Sequence, residues 1–323
     1  MIVTVTLNPS LDRTLRFVRV ERGQLNRAEE VREDASGKGI NVSLALRQLG
    51  QESLVVALVA GRIGQRVVDG LSQHGLECRF VWLEAGETRV STKVYEQEFG
   101  MLTELNEPGP PVTPDDLEAV RRVILQAVSP GDVVIFSGSI PPGCPPNYYA
   151  AVGRNLRERG VSVVIDTSGQ ALRESLTLPP QIAKPNRDEL SQLVGVPLPD
   201  SETAAEAGRA VWEKLSSGRP GDSEALILTL GAEGAVFFTA QGMFRAIAPV
   251  ETGGTTAGCG DALLAATVHG LQSGWSWETI ARFATATAAA TAAIVGTRFP
   301  ARAEVERRLS GVEVRRLPER RSY

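Results

Sequence analysis

The sequence has few of the residues that hold transition metals or form disulfide bonds. Its 323 residues include only two histidines and three cysteines, which are scattered along the chain. A zinc site normally takes four such ligands in closely spaced pairs, so we expect none here. The odd number of cysteines and the absence of a signal peptide lead us to expect a reducing, cytoplasmic location.

Long hydrophobic runs and an excess of basic charge are also missing. The best candidate for a membrane span, residues 283–295 (FATATAAATAAIV), is too short and too rich in threonine, so we expect a buried helix instead. The 34 basic and 38 acidic residues give a formal net charge of −4. Proteins that bind nucleic acids usually carry a basic excess or a basic stripe. We therefore expect neither a membrane nor a nucleic acid as a partner.

Lysine is scarce as well, because nearly all of the basic residues are arginine. The lysines are Lys38, Lys93, Lys184 and Lys214. GC-rich coding is enough to explain this bias. Each lysine is nevertheless a candidate site residue.

What the sequence does contain is an alternation of helical and apolar segments. From residue 114 onward a predicted helix (114–127) precedes a predicted strand (133–136), and the pattern repeats along the chain. Such alternation predicts an α/β fold with a mostly parallel central sheet and helices on both faces. The last residues, 314–323, are basic, and we expect them to be peripheral or frayed.

Two pairs of segments in the first third of the chain do not fit that sheet. Residues 14–20 and 28–34, and later 89–97 and 101–106, alternate in polarity as hairpins with one solvated face do. We expect them to form a small β-sheet lid on a single domain of residues 1–323. The lid is assigned to residues of about 12–35 and 88–107.

Two glycine-rich segments precede predicted helices and are candidates for binding an anion. They are residues 36–41 (SGKGIN) and 252–261 (TGGTTAGCGD). Small residues let the backbone approach a ligand, and a helix N-terminus favours negative charge. The first segment is not a Walker A loop, because Lys38 is followed by Gly39, and it lacks the third glycine of a dinucleotide-binding fingerprint. The simpler alternatives are a plain helix-start turn for the first segment and an N-cap role for Asp261 in the second.

Two further segments carry groups that suit a nucleotide or its metal ion. In residues 184–189 (KPNRDE), Asn186 and Glu189 have the spacing of a capping box. Alternatively, the same two side chains face a hydrated Mg²⁺, which takes few protein ligands. Residues 229–234 (TLGAEG) lie at the end of a predicted strand. They form either a phosphate or nucleotide loop or a tight turn.

In their order along the chain, these motifs resemble those of the PfkB (ribokinase-like) carbohydrate kinases, in the branch of 1-phosphofructokinases and tagatose-6-phosphate kinases. The resemblance extends from residue 6 to about residue 296. It rests on eight ordered segments: 6–12 (TLNPSLD), 37–42 (GKGINV), 88–93 (TRVSTK), 137–143 (SGSIPPG), 166–169 (DTSG), 184–186 (KPN), 229–234 (TLGAEG) and 258–261 (GCGD). The resemblance implies a ribokinase-like fold and a kinase that uses ATP and Mg²⁺.

The resemblance also implies roles for single residues. Asp261 would be the general base toward a sugar hydroxyl, with the backbone amides around Gly258, Cys259 and Gly260 as the anion hole. On the sugar side the implied residues are Asp12, Gly37, Lys38, Asn41, Arg89, Lys93 and Ser139. On the nucleotide side they are Lys184, Asn186, Thr229, Gly231, Ala232 and Gly234, and Asn186 with Glu189 would organise Mg²⁺. A solvated lid face is the simpler reading of Arg89 and Lys93.

Three positions depart from the family pattern. Cys259 stands where the family usually has alanine, and its larger side chain adjoins the anion hole. Thr255 replaces a residue that is often acidic or serine, and Ser91 replaces an asparagine near the sugar phosphate. The base, the glycines and the magnesium pair are retained, so the kinase hypothesis stands.

The sugar is not determined by these motifs. Fructose 1-phosphate, converted to fructose 1,6-bisphosphate, is our first choice, followed by tagatose 6-phosphate and fructose 6-phosphate. A kinase for an unphosphorylated sugar or a nucleoside is a second hypothesis, which the two cations Lys38 and Arg89 disfavour. A non-catalytic sugar-phosphate sensor is a third, motivated by Cys259. Because the hairpins leave strand edges and apolar faces open, we also expect a homodimer joined through the lid strands.

Overall fold

The strands of the molecule form two separate sheets in the computed structural model, which describes residues 1–216, 224–249, 256–294 and 296–318. In chain order the strands are β1 (Ile2–Thr6), β2 (Ser10–Phe17), β3 (Glu30–Ser36), β4 (Leu54–Val59), β5 (Glu77–Trp82), β6 (Arg89–Glu96), β7 (Met101–Asn106), β8 (Val133–Ser137), β9 (Ser162–Asp166), β10 (Ile182–Ala183), β11 (Ala225–Thr229), β12 (Ala235–Thr239), β13 (Gly242–Ile247) and β14 (Glu313–Leu317).

The larger sheet has the strand order β14-β13-β12-β11-β10-β9-β8-β1-β4-β5 over the described ranges. Neighbouring strands are parallel from β5 across to β11, and β12 to β14 extend the sheet in antiparallel fashion. The prediction of a mostly parallel sheet is confirmed. Of residues 314–323, expected to be peripheral or frayed, residues 314–317 are peripheral but not frayed, because they pair with β13 in the edge strand β14. Residues 319–323 lie outside the described residues.

Helices cover both faces of the larger sheet. They are α1 (Lys38–Gln48), α2 (Gly61–Gln73), α3 (Pro114–Ala127), α4 (Tyr148–Glu158), α5 (Gly169–Ser175), α6 (Arg187–Val194), α7 (Ser201–Ser216), α8 (Cys259–Gln272), α9 (Trp277–Ala292) and α10 (Arg302–Arg308). Apolar side chains of α1, α8 and α9 form one core, and those of α3 and α4 form a second core with the opposite faces of β1 and β8. No helix in the described part of the chain is both long and apolar enough to cross a membrane.

The smaller sheet has the order β3-β2-β6-β7. The two expected hairpins are present as the antiparallel pairs β2–β3 and β6–β7, and the parallel pair β2–β6 joins them. Leu11 and Ala35 anchor this sheet on Val67 and Leu71 of α2, in a separate apolar cluster. The assignment of these strands to a lid on a single domain stays a prediction.

Candidate active site

A cleft of about 1000 Å³ separates the small sheet from the N-terminal ends of α1, α6 and α8. Ligands of parallel α/β sheets characteristically bind at such helix N-termini, outside the carboxyl ends of the strands. The sequence-predicted residues that line it are Asp12, Gly37, Lys38, Asn41, Arg89, Lys93, Lys184, Asn186, Thr229, Gly231, Ala232, Gly234, Gly258, Cys259, Gly260 and Asp261. Two predicted residues do not line it. Ser139 is exposed and accepts a hydrogen bond from Asn8, and Glu189 lies behind Lys38.

Asp261 lies in the first turn of α8, where its carboxylate is buried at the cleft wall. Its Oδ2 atom accepts a hydrogen bond of 2.8 Å from Nδ2 of Asn41 in α1. Burial, together with the nearby negative charge of Asp166, raises the pKa of Asp261 to about 6, although Lys38 and the Asn41 hydrogen bond oppose the shift. A carboxylate with a pKa near neutrality and access to a cleft has the properties of a general base.

The start of α8 supplies backbone N–H groups beside this carboxylate. Gly258 is the N-cap residue with φ +78°, and the N–H of Ala262 makes the first helical bond, 2.8 Å to the carbonyl of Gly258. The amides of Gly260 and Asp261 precede that bond, so they lie at the positive end of the helix dipole. Burial raises the pKa of the Cys259 thiol to about 12, so this side chain is neutral. Thr255, the second departure in this segment, lies outside the described residues.

A cluster of two lysines, which line the cleft, and two carboxylates, which lie behind them, extends from the cleft wall into the interior. Asp166, at the end of β9, is completely buried, and its Oδ1 atom lies 3.1 Å from Nζ of Lys184 and 3.4 Å from Nζ of Lys38. Burial alone would raise the pKa of Asp166, but the two ammonium groups outweigh it and lower the pKa. Lys38 also lies 3.3 Å from Oε1 of Glu189. Burial alone would lower the pKa of Lys38, but the negative charges of Asp166 and Glu189 outweigh burial and raise the pKa above its usual value. Lys38 therefore stays charged.

The sequence assigned no role to Asp166, although its motif contributed to the resemblance. A sign of its role was available, because an aspartate directly after the apolar run of β9 lies at the carboxyl end of a parallel strand. Such strand ends border the ligand site in α/β folds.

On the sugar side, the structure places Arg89 and Lys93 in different surroundings. Arg89 donates hydrogen bonds of 3.3 Å to the carbonyl oxygens of Asn8 and Glu107, and burial lowers its pKa. Lys93 is buried, and its Nζ atom lies 2.5 Å from Oδ2 of Asp12. The alternative of a solvated lid face therefore does not hold for Lys93, which is buried and paired with the predicted sugar-binding carboxylate of Asp12.

Two residues of β7, Glu104 and Asn106, also line the cleft and were missed from the sequence. In the antiparallel register they lie opposite Lys93 and Ser91. Alternate residues of a strand share one face, so the hairpin pattern was in principle enough to place all four together.

On the nucleotide side, the capping box predicted for residues 184–189 is present. Asn186 accepts from the N–H of Glu189 at 2.8 Å, and Glu189 accepts from the N–H of Asn186 at 2.9 Å. Beside it, Thr229 ends β11, and the 3-10 turn Gly231–Glu233 follows. The expectation of a buried α9 is correct for most of the helix, but one face of small residues borders the cleft: Thr285, Ala288, Ala289 and Ala292.

The chain is similar to known sugar-phosphate kinases over most of its length. A family model described as pfkB family carbohydrate kinase matches residues 5–304. The chain is 33% identical over 292 residues to a 1-phosphofructokinase of Escherichia coli, covering 89% of both chains. It is 31% identical over 273 residues to a tagatose-6-phosphate kinase of Staphylococcus epidermidis, covering 84% of this chain and 85% of the other.

Among solved structures, the chain shares its fold with Escherichia coli phosphofructokinase-2 in complex with substrates and products. The TM-score is 0.88 at 24% identity, and the match covers 96% of this chain and 98% of the other. At this level of identity the likeness concerns the fold alone.

Proposed function

The chain belongs to the pfkB family of carbohydrate kinases, and we propose that it transfers the γ-phosphoryl group of ATP to fructose 1-phosphate, giving fructose 1,6-bisphosphate. It is a sugar-phosphate kinase, a phosphotransferase with an alcohol group as acceptor. The observation that carries the proposal is the buried carboxylate of Asp261 at the amide-lined start of α8. The relative named 1-phosphofructokinase supports the choice of sugar, and tagatose 6-phosphate and fructose 6-phosphate come next.

In the proposed reaction Asp261 accepts the proton of the attacking sugar hydroxyl. The hydroxyl oxygen forms a bond to the γ-phosphorus, while the bond from that phosphorus to the bridging oxygen breaks and its electron pair leaves with ADP. The hydrogen bond from Asn41 holds the carboxylate in one orientation during the transfer. Positioning of this kind supplies much of the catalysis of phosphoryl transfer.

Positive charge at the start of α8 would stabilise the transferring group. A methyl group built on Gly260 would lie only 3.2 Å from Nζ of Lys184, so this ammonium group adjoins the amides of the predicted anion hole. Asp166 fixes Lys184 from behind. Fixed donors of this kind stabilise charge in the transition state without reorganising.

Of the two residues proposed for Mg²⁺, Asn186 lines the cleft and Glu189 does not, so we propose that the ion is hydrated and held through water. Both oxygens of Glu189 already accept hydrogen bonds, from Lys38 and from the backbone of Asn186, and the Asn186 oxygen caps α6. Within the described ranges no group of three or more histidine, cysteine or acidic side chains is placed to hold a metal directly. Mg²⁺ prefers to keep several of its waters, and when bound with ATP it neutralises phosphate charge.

We propose that Arg89 and Lys38 attract the phosphate of the sugar substrate. Both line the cleft, and arginine binds phosphate in bidentate fashion. We also propose that the small sheet, residues of about 12–35 and 88–107, is a lid of a single domain. Its closure over the sugar would exclude water, which otherwise hydrolyses ATP. A cytoplasmic location completes the proposal.

The outer face of the small sheet supports a homodimer. Val31 and Leu105 lie on the face opposite the cleft and are 59% and 57% exposed. Leu15 and Val94 lie between them on the same face. The Arg13–Glu33 ion pair lies on the same face, so the exposed surface is an apolar patch with a charged neighbour. Such a patch is characteristically covered by a partner, and we propose a second copy of this chain.

The test is a panel of hexose phosphates with Mg-ATP, in which ADP release is measured. We expect the highest kcat/KM with fructose 1-phosphate, and inorganic phosphate should compete at the sugar site. Asp261→Asn should lower kcat by about 10² to 10⁴, because the amide accepts no proton. The control, Asp69→Asn on α2, should match the wild type. No turnover of any phosphorylated ketohexose, or full activity of Asp261→Asn, would show the proposal to be wrong.

A further inference from the structure

We infer that Thr297 is a positioning residue whose hydroxyl group fixes the carboxylate of Asp12 on the sugar-binding side of the cleft. The inference rests on the proposed function, because Asp12 is one of the residues proposed to bind the sugar. Thr297 follows α9, and its side chain does not itself line the cleft. No motif in the sequence singled it out.

The hydroxyl group of Thr297 bonds to two residues of the small sheet. Its Oγ1 atom lies 3.2 Å from Oδ2 of Asp12, to which it donates, and 3.0 Å from Nζ of Lys93, from which it accepts. Asp12, Lys93 and Thr297 are all at least 93% buried. Ser10 donates to the other oxygen of Asp12 at 2.8 Å. The carboxylate is therefore held by three donors, and breaking a bond in such a buried group is costly.

A methyl group built on Gly258, the N-cap of α8, would lie 3.9 Å from Cγ2 of Thr297. Glycine has no such group, so this distance places Thr297 near the start of α8 and no more. The inference therefore concerns the hydroxyl group of Thr297 and its bonds to Asp12 and Lys93.

These hydrogen bonds hold the carboxylate of Asp12 in one orientation. A hydrogen bond to a buried carboxylate is directional, and closely packed interiors deform little. Thr297 would therefore act on the sugar through Asp12.

The test compares Thr297→Val, which removes the hydroxyl group at nearly constant shape, with Thr297→Ser, which keeps it. The matched control is Thr287→Val in α9, because that buried hydroxyl bonds only to the carbonyl of Phe283 in its own helix. Thr297→Val should lower kcat/KM for fructose 1-phosphate about tenfold, raising the KM for the sugar and lowering kcat, with the KM for ATP within twofold. Thr297→Ser should restore most of the activity, and Thr287→Val should match the wild type.

Equal kinetics for Thr297→Val and Thr287→Val would overturn the inference, as would a failure of Thr297→Ser to restore activity. If Thr297→Val does not fold, Thr297→Ala replaces it with the same expectations.

Hydrogen exchange of the substrate-free protein gives a readout that does not depend on turnover. Thr297→Val should speed amide exchange in β2 around Asp12, while Thr287→Val should leave it unchanged. Unchanged exchange in β2 of Thr297→Val would contradict the inference. If the wild type phosphorylates no sugar phosphate, the proposed function fails, and the exchange experiment alone then decides the role of Thr297.

Discussion

At the scale of the residue, burial and neighbouring charges set the pKa of the proposed base, Asp261. Burial and Asp166 raise the pKa of Asp261 to about 6, and only the ionised carboxylate accepts a proton. We therefore expect kcat/KM to fall tenfold per pH unit below about pH 6. The hydrogen bond from Asn41 stabilises the ionised carboxylate, so Asn41→Ala should raise the pKa of Asp261. In a pH–rate profile, the acid limb, where activity falls as the pH is lowered, should then move to higher pH. Asn155→Ala, on α4, should leave the limb in place, and an unmoved limb in Asn41→Ala would argue against Asp261 as the base.

Arg89 offers a second test at this scale. Arg89→Ala should raise the KM for the sugar phosphate by about 10- to 100-fold, because a charge-assisted hydrogen bond to phosphate is lost. Steady-state kinetics should show an unchanged KM for ATP. Arg121→Ala is the control, since Arg121 lies on α3, outside the small sheet, and pairs with Glu118. A higher KM for ATP instead would place Arg89 on the nucleotide side.

At the scale of the element, the start of α8 depends on a glycine for two reasons. Gly258 has φ +78°, and a Cβ atom there would also approach Phe299 to 3.2 Å. Gly274, after the same helix, has φ +69° with nothing within 4 Å. Both Gly→Ala variants should lower the free energy of unfolding by about 1–2 kcal/mol through the left-handed backbone. Urea denaturation should show a greater loss for Gly258→Ala, and only that variant should lose kcat; equal losses would mean that the Phe299 contact is unimportant.

At this scale, the local pattern of polar and apolar residues predicts hairpins but not the pairing of distant strands. Hairpins β2–β3 and β6–β7 follow from alternating polarity over adjacent segments. Their union through the parallel pair β2–β6 does not, since Asp12 meets Ser91 across some eighty residues of chain. The short strand β10 was missed because two residues, Ile182 and Ala183, carry no period at all.

At the scale of the whole molecule, the proposed dimer gives the clearest prediction. Leu105→Asp places a charge on the exposed outer face of the small sheet, where burial against a second copy would be costly. Light scattering at micromolar concentration should show a dimer for the wild type and a monomer for this variant. Val196→Asp, at a residue 53% exposed outside the small sheet, should leave the mass unchanged. A monomeric wild type would contradict the proposal.

The sequence by itself predicted the mostly parallel fold, the family and sixteen of the residues that line the cleft. These follow from short segments whose meaning is local: strand and helix periods, glycine-rich helix starts and eight motifs in order. Only the tertiary structure decided which polar side chains meet. Asn41 contacts Asp261 across 220 positions, Lys38 contacts Asp166 across 128, and Thr297 contacts Asp12 across 285. Such pairs are chosen by strand order and helix packing, and no residue carries a local mark of a partner that far along the chain.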